Sequence, residues 1–253
     1  MTVALVTGAN KGIGLAVTRA LARQGAKIWL GARDENRGRK AEAQVRAEGL
    51  DVEYLALDVC DRASIATAVD QMMASADGLD ILINNAGLMI ELETTYPVPQ
   101  APSEVSLEGL RRQYETNVLG PIAMIQGLLP LLLNSPAGRI VNVAARMGSF
   151  DYKTNSKLQP EPLNLIGYCS SKAALNMATV VFAREFRGTR IKINAVSPGI
   201  IATDISGPRA QELAARPGFG TPEQGAIPIV KYATLPDDGP SGGFFGPDGQ
   251  LPW

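Results

Sequence analysis

"ALVTGANKGIG", residues 4–14, decides the fold. An apolar run ends at three glycines, Gly8, Gly12 and Gly14, and a helical pattern begins at the last of them. Glycine lets the backbone turn tightly and come close to a ligand, and the helix N-terminus beyond it favours an anion. The spacing is G-x3-G-x-G rather than G-x-G-x-x-G, but the physical demand is the same. By itself the trio is also compatible with an ordinary glycine-rich turn. Its place at the first strand-to-helix junction favours a bound nucleotide.

Working outward, β-branched or apolar runs recur at "TVALVTG" (2–8), "AKIWLGA" (26–32), "VEYLALD" (52–58), "DILINNAG" (80–87) and "GRIVNVA" (138–144). Helical stretches separate them, as at Gly14–Gln24 and Asn36–Glu48. Another helix is expected over Tyr168–Phe186, then a strand at "IKINAVSPG" (191–199). Strands alternating with helices predict an α/β fold, a Rossmann-like doubly wound parallel sheet flanked by helices, as one domain spanning 1–253. Three segments interrupt the rhythm and are expected to be loops around a substrate: 88–106 with Pro97, Pro99 and Pro102, 146–166, and 200–220. From Arg216 onward, frequent Gly and Pro predict mostly loop and turn.

Composition excludes several classes. The 24 basic and 25 acidic residues balance to a net charge of -1, which gives neither a nucleic-acid surface nor a polybasic membrane patch. No apolar run reads as long enough for a membrane span, and no basic-then-apolar leader opens the chain. Cys60 and Cys169 lie far apart without metal-ligand spacing, and as reduced thiols they suit a cytoplasmic protein. There is no histidine at all, so the commonest zinc ligand and every Ser-His mechanism are missing. Acid–base chemistry must then fall to Tyr, Lys, Asp, Glu or Cys.

The second strand ends in "IWLGARDENRG" (28–38). An acidic residue here would hold a ribose 2'-hydroxyl, whereas Arg33, with Lys11 in the glycine loop and Arg37 a turn later, suits a 2'-phosphate and favours NADP(H). Asp34, next to Arg33, pulls the other way. In "GYCSSKAALNMATVVFAREF" (167–186), Tyr168 and Lys172 stand at i, i+4 on one helix face. A nearby ammonium stabilises a phenolate, so the tyrosine could give or take a proton near neutral pH. Such a pair alone is common by chance.

The conjunction is not. The glycine loop, "LDV" (57–59), "NNAG" (84–87), Asn117, Tyr168, Lys172 and "SPG" (197–199) occur in one order over nearly the whole chain. This order resembles the short-chain dehydrogenase/reductase family, and "NKGIG", "ARDENRG" and the loop before the tyrosine resemble its carbonyl-reductase branch, whose members mostly use NADPH. The resemblance implies about seven parallel strands. It implies an NADP(H) site made by Gly8, Asn10, Lys11, Gly12, Ile13, Gly14 and Arg33, with Asp58 and Val59 at the adenine. Asn84, Ala86 and Gly87 would line the cofactor and steady the sheet, Lys172 would also hold the nicotinamide ribose, and Pro198, Gly199, Ile201 and Thr203 would border the nicotinamide amide. Tyr168 would be the proton donor, Lys172 its tuner, and Asn117 the holder of a water behind Lys172. On residue type alone, Asn84 and Asn117 could equally satisfy backbone groups, and Asp58 could cap a helix.

One departure stands out. The family ends its fifth strand in Ser-Ser, and the second serine positions the substrate oxygen. Here the matching residues are Ala144 and Ala145. Three readings are open: Ser149 or Tyr152 supplies the hydroxyl, the substrate is an imine that needs no such donor, or the alanines are engineered. The function expected is NADPH-dependent reduction of a ketone, aldehyde or imine on a fairly hydrophobic molecule, with no metal. Leu88, Met89, Met147 and Phe150 would make the pocket apolar. The rival is a cofactor-binding relative with little redox turnover, such as a sensor, a non-redox cyclase or an inactive engineered variant. Whether the chain is a monomer or a homo-oligomer is left open.

Overall fold

A computed structural model describes residues 1–75, 78–92, 101–155, 164–203, 205, 212, 214–215 and 217–253. The remaining parts of the three expected substrate loops lie outside the described residues.

The chain runs β1 (Val3–Thr7), α1 (Gly12–Ala22), β2 (Lys27–Ala32), α2 (Glu35–Arg46), β3 (Val52–Ala56), α3 (Arg62–Ala74) and β4 (Ile81–Asn84). Next come α4 (Leu107–Tyr114), a π-helical turn (Glu115–Leu119), α5 (Gly120–Asn134), β5 (Arg139–Val143), α6 (Phe150–Thr154), α7 (Ile166–Glu185) and β6 (Lys192–Val196). The chain closes with α8 (Pro222–Ala233), β7 (Phe244–Gly246) and β8 (Gly249–Gln250).

The sheet has eight strands in the order β3-β2-β1-β4-β5-β6-β7-β8. Seven are parallel, and β8 adds a two-residue antiparallel edge on β7. All five residues of β1 are buried, because helices cover both faces. Ala4 and Val6 join Val17, Leu21, Val45 and Ile229 under α1, α2 and α8. Val3 and Leu5 join Ile65, Met72, Ile125 and Leu128 under α3 and α5. Each buried Val, Leu, Ile or Met side chain among them contributes about 1.5–3 kcal/mol. The order reverses between β1 and β4, and that crevice at the C-terminal strand ends is where α/β sheets take ligands.

Two expectations need correction. The region beyond Arg216 holds more regular structure than expected: among its loops and turns it supplies α8 and two strands. Pro222 sits at the first helical turn, where its missing N–H costs nothing, and Thr221 and Gln224 form a capping box. Pro228 lies inside the helix but is buried with Ile229, Val230 and Ala233, so packing holds a helix that propensity opposes. Secondly, the continuous helical run Leu107–Asn134 is long and apolar enough, by length and composition, to cross a membrane. Here Met124, Ile125, Leu128 and Leu132 bury that apolar face against the sheet.

Candidate functional site

The glycine loop follows β1 directly. Gly8 and Gly12 take positive φ of 64° and 55°, a region other residues rarely adopt. A Cβ on Gly14 would lie 2.5 Å from Nδ2 of Asn85 and 2.6 Å from the Gly8 carbonyl oxygen, so only glycine fits there. Asn85 braces the loop by donating to the carbonyls of Thr7 (2.9 Å) and Gly8 (3.2 Å). The Thr7 hydroxyl accepts from the backbone N–H of Asn85 and of Ala86, both at 3.0 Å. Lys11, at the cap of α1, makes no side-chain capping bond, and the first turn carries no acidic residue, so the helix N-terminus keeps its positive end for an anion. Those features fit a pyrophosphate.

The other expected residues gather along the same strand ends. A Cβ on Gly8 would touch Ala86, one on Gly12 would lie 3.5 Å from Cγ2 of Thr203, and one on Gly87 would lie 3.7 Å from Oδ1 of Asn117. Ile201 pairs with Gly220 across the base of the loop after β6, and Gly199, after Pro198, turns with φ of 92°. Ile13 packs beside Gly225 of α8. Asn84 turns into the sheet and donates to Oδ1 of Asn142 (2.8 Å), whose own amide donates to Thr179 on α7. Asp58 does not cap a helix: its carboxylate accepts from the N–H of Cys60 (2.9 Å), and Asp61 caps α3 instead. Val59 packs under the start of α5 at Gly120.

Of the three cations, Arg33, Lys11 and Arg37 are all exposed. Asp34 caps α2 through the N–H of Arg37 and lies 3.5 Å from that guanidinium. Arg33 forms no ion pair among the described residues, so it is the better placed of the two arginines to meet a phosphate.

Tyr168 and Lys172 are both buried on α7. Lys172 Nζ donates to the carbonyl oxygen of Val143 (2.8 Å), tying α7 to the end of β5, and lies 5.7 Å from the Tyr168 ring centre. A Cβ on Gly148 would collide with the backbone of Lys172 and Ala173, which shows how tightly the turn after Ala145 packs on α7. Burial pushes the Lys172 ammonium down to about 8. Burial raises the Tyr168 phenol, with Cys169 and Glu91 adding to the rise. The expected lowering of the tyrosine by its lysine is therefore absent in the protein alone, because desolvation dominates.

That buried ammonium has a measurable cost. The folded value lies below the ordinary 10.5, so the unfolded chain holds the extra proton between about 8 and 10.5, and this group's contribution to stability rises with pH across that window. Lys172→Met is expected to stabilise the cofactor-free protein at pH 7 by about 2 kcal/mol, the desolvation relieved less one lost hydrogen bond. The gain should vanish by pH 10.5. Urea unfolding of both proteins at the two pH values checks it, and equal destabilisation at both would contradict it.

Asn117 sits in the π-helical turn, a form frequent at functional sites. Its amide is fully engaged as a brace: Oδ1 accepts from the N–H of Leu88 (2.8 Å), and Nδ2 donates to the Leu88 carbonyl (2.9 Å) and the Ser171 hydroxyl (3.0 Å). At the end of β5, Ala144 packs on Ala195 and Phe244, while Ala145 is half-buried with extended backbone. Ser149 is buried and caps α6, accepting from the N–H of Tyr152 (3.1 Å). Tyr152 is half-buried and Phe150 is exposed.

A cavity of about 800 Å³ lies at the opposite end of the strands, among Met1, Asp80, Ser135, Arg139 and Leu235. Its carboxylate is committed to Val3 N–H and the Ser135 hydroxyl, far from this chemistry. Among the described residues no group of three or more Cys, Asp or Glu side chains is placed to hold a metal.

Residues 2–214 match the sequence profile of short chain dehydrogenase. The chain belongs to the short-chain dehydrogenase/reductase family. Carbonyl reductase (NADPH) 1 of Mus musculus is 32% identical over 289 aligned residues, covering 99% of this chain and 98% of that one. Short-chain dehydrogenase/reductase 1 of Saponaria officinalis is 33% identical over 96% of this chain and 93% of its own. Among solved structures, NADPH-bound carbonyl reductase from chicken fatty liver superposes with a TM-score of 0.83 at 25% identity, covering all of both chains. Salutaridine reductase from Papaver somniferum gives 0.76 at 27% identity, covering 96% of this chain and 99% of that one. This short-chain dehydrogenase/reductase thus has relatives along nearly its whole chain. Sequence reasoning missed Thr7, Asn85, Glu91 and Ser171. Thr7 and Asn85 were detectable as polar residues closing apolar strands, whereas Glu91 reads in sequence as one more solvated loop acid.

Proposed function

We propose that this protein is an NADP-dependent short-chain oxidoreductase that reduces a carbonyl group on a fairly hydrophobic small molecule. The observation that carries the reading is the buried pair Tyr168 and Lys172, with Lys172 bonded to the strand end that leads into Ala145. NADPH, when bound, supplies the hydride. The uncapped α1 N-terminus and the Gly8–Gly14 loop would hold its pyrophosphate, Arg33 its 2'-phosphate, and Asp58 and Val59 its adenine. Asn84, through Asn142, would keep the crevice floor rigid, and Ala86, Gly87, Pro198, Gly199, Ile201 and Thr203 would border the nicotinamide.

Tyr168 gives its phenolic proton to the oxygen as it becomes an alcohol. The raised pKa of the phenol keeps that proton in place at neutral pH. Lys172, at about 8, is still mostly charged at pH 7 and steadies the phenolate left behind. Ala145 offers a methyl group where a hydroxyl would hold the substrate oxygen, and Ser149 is buried at the cap of α6. An imine is a second substrate class favoured by Ala145: a protonated imine loses positive charge as hydride arrives, so it needs no oxyanion donor.

NADPH oxidation across a panel of hydrophobic aldehydes, ketones and imines tests the reading. Turnover of a carbonyl compound supports it, whereas tight NADPH binding without oxidation anywhere in the panel supports a cofactor-binding relative. For the cofactor, Arg33→Asp is expected to weaken NADPH about ten- to a hundredfold, the loss of one charge-assisted contact, and to leave NADH nearly unchanged. Fluorescence titration of both nucleotides checks this. A preference unaltered by the substitution would show that Arg33 does not read the phosphate.

A further inference from the structure

We infer that Glu91 is the positioning residue of the site: from the loop after β4, its buried carboxylate supplies the missing cap of α7 and holds the backbone of Tyr168. The inference rests on the reading of Tyr168 as proton donor. Leu165, the residue at the cap of α7, makes no side-chain capping bond. Glu91, 76 residues earlier in the chain, fills that role, its Oε1 accepting from the N–H of Gly167 (2.7 Å) and of Tyr168 (3.0 Å). A carboxylate at a helix N-terminus is favourable, and the more so when it is buried. Glu91 is 1% exposed.

Two further observations point the same way. Gly167 is a close-approach glycine: a Cβ there would lie 3.0 Å from Glu91 Oε1 and 2.6 Å from Oε1 of the buried Gln113 on α4. Any larger residue would push the carboxylate off Tyr168. The same loop is held again at Leu88, which Asn117 grips at both backbone groups. Asn117 also donates to Ser171, whose hydroxyl donates to the Tyr168 carbonyl. The N–H and C=O of Tyr168 are thus both tied to the segment leaving β4, one through Glu91 and the other through Ser171 and Asn117. The loop that borders the substrate therefore sets where the phenol stands. A tyrosine displaced by an ångström loses its alignment with the reacting oxygen.

The test measures kcat, KM and NADPH affinity for Glu91→Gln, Glu91→Asp and Glu91→Ala, with an aromatic aldehyde or ketone that the parent reduces. Glu91→Ala is also made in the Tyr168→Phe background. Glutamine keeps the reach and an acceptor oxygen, while aspartate keeps the charge but is one carbon too short. The expected result is kcat within about threefold of the parent for Gln and at least about tenfold lower for Asp and Ala, with KM and NADPH affinity within about threefold throughout. In the Tyr168→Phe background, Glu91→Ala should cost less than about twofold more, because its effect runs through the lost phenol. Parental turnover in Glu91→Asp, or a full further loss in the double variant, would overturn the inference. Should Glu91→Ala not fold, the Gln and Asp pair decides. An inactive Tyr168→Phe beside a fully active Glu91→Asp would refute Glu91 alone, whereas an active Tyr168→Phe would refute the proton-donor reading on which it rests.

Discussion

Tyr168→Phe is expected to lower kcat by about 10²–10⁴-fold, the usual contribution of a positioned general acid, while NADPH binds within a fewfold of its parental affinity. The substitution keeps the ring and its packing on the buried face of α7 and removes one oxygen. The chain has no histidine, and both ends of the Asn117 amide are engaged, so neither offers a replacement acid. Stopped-flow measurement of the hydride-transfer phase checks it under conditions where chemistry limits the rate. Retention of most of that rate would remove Tyr168 from the role. Lys172→Met should also lose turnover while gaining stability at neutral pH, a sign that the buried ammonium is kept for function.

Ala145→Ser is expected to raise kcat/KM for a ketone by about 10²–10³, the effect of one hydrogen-bond donor on a developing oxyanion. Ala145 is half-buried with extended backbone, so a hydroxyl can be added without filling a closed core. For a matched imine the change should be much smaller. Ser149→Ala is the control. It removes the cap of α6 and should leave ketone reduction nearly unchanged, since Ser149 is buried and held at the start of α6. If Ala145→Ser changed nothing while Ser149→Ala abolished ketone reduction, Ser149 would be the donor and the site would lack nothing.

What the sequence revealed follows from how local each cause is. The strands of the parallel sheet are legible because burial on both faces leaves apolar runs such as Val3–Thr7. The glycine loop is legible because positive φ and close approach demand one residue type. By contrast, α8 carries Gly225 and Pro228 and reads as loop, because the packing that holds it comes from α1, some two hundred residues away. Asp34 beside Arg33 looks like a competing ribose ligand until the fold shows it capping α2 and facing Arg37. The tyrosine and lysine are visible as a spacing, but the direction of their pKa values is not, since burial reverses the lowering expected for the tyrosine. Glu91 is invisible for the same reason: only the tertiary fold brings a loop carboxylate to the start of a helix 76 residues on.

The most direct measurement is single-turnover incubation of the protein with NADPH deuterated at the nicotinamide C4, on both faces in parallel, and a hydrophobic aldehyde or ketone, followed by mass analysis of the product. The predicted result is an alcohol bearing one deuterium on the former carbonyl carbon from one labelled face only, lost in Tyr168→Phe. Recovery of unreacted carbonyl compound and intact NADPH, from a protein that binds the nucleotide tightly, would contradict it.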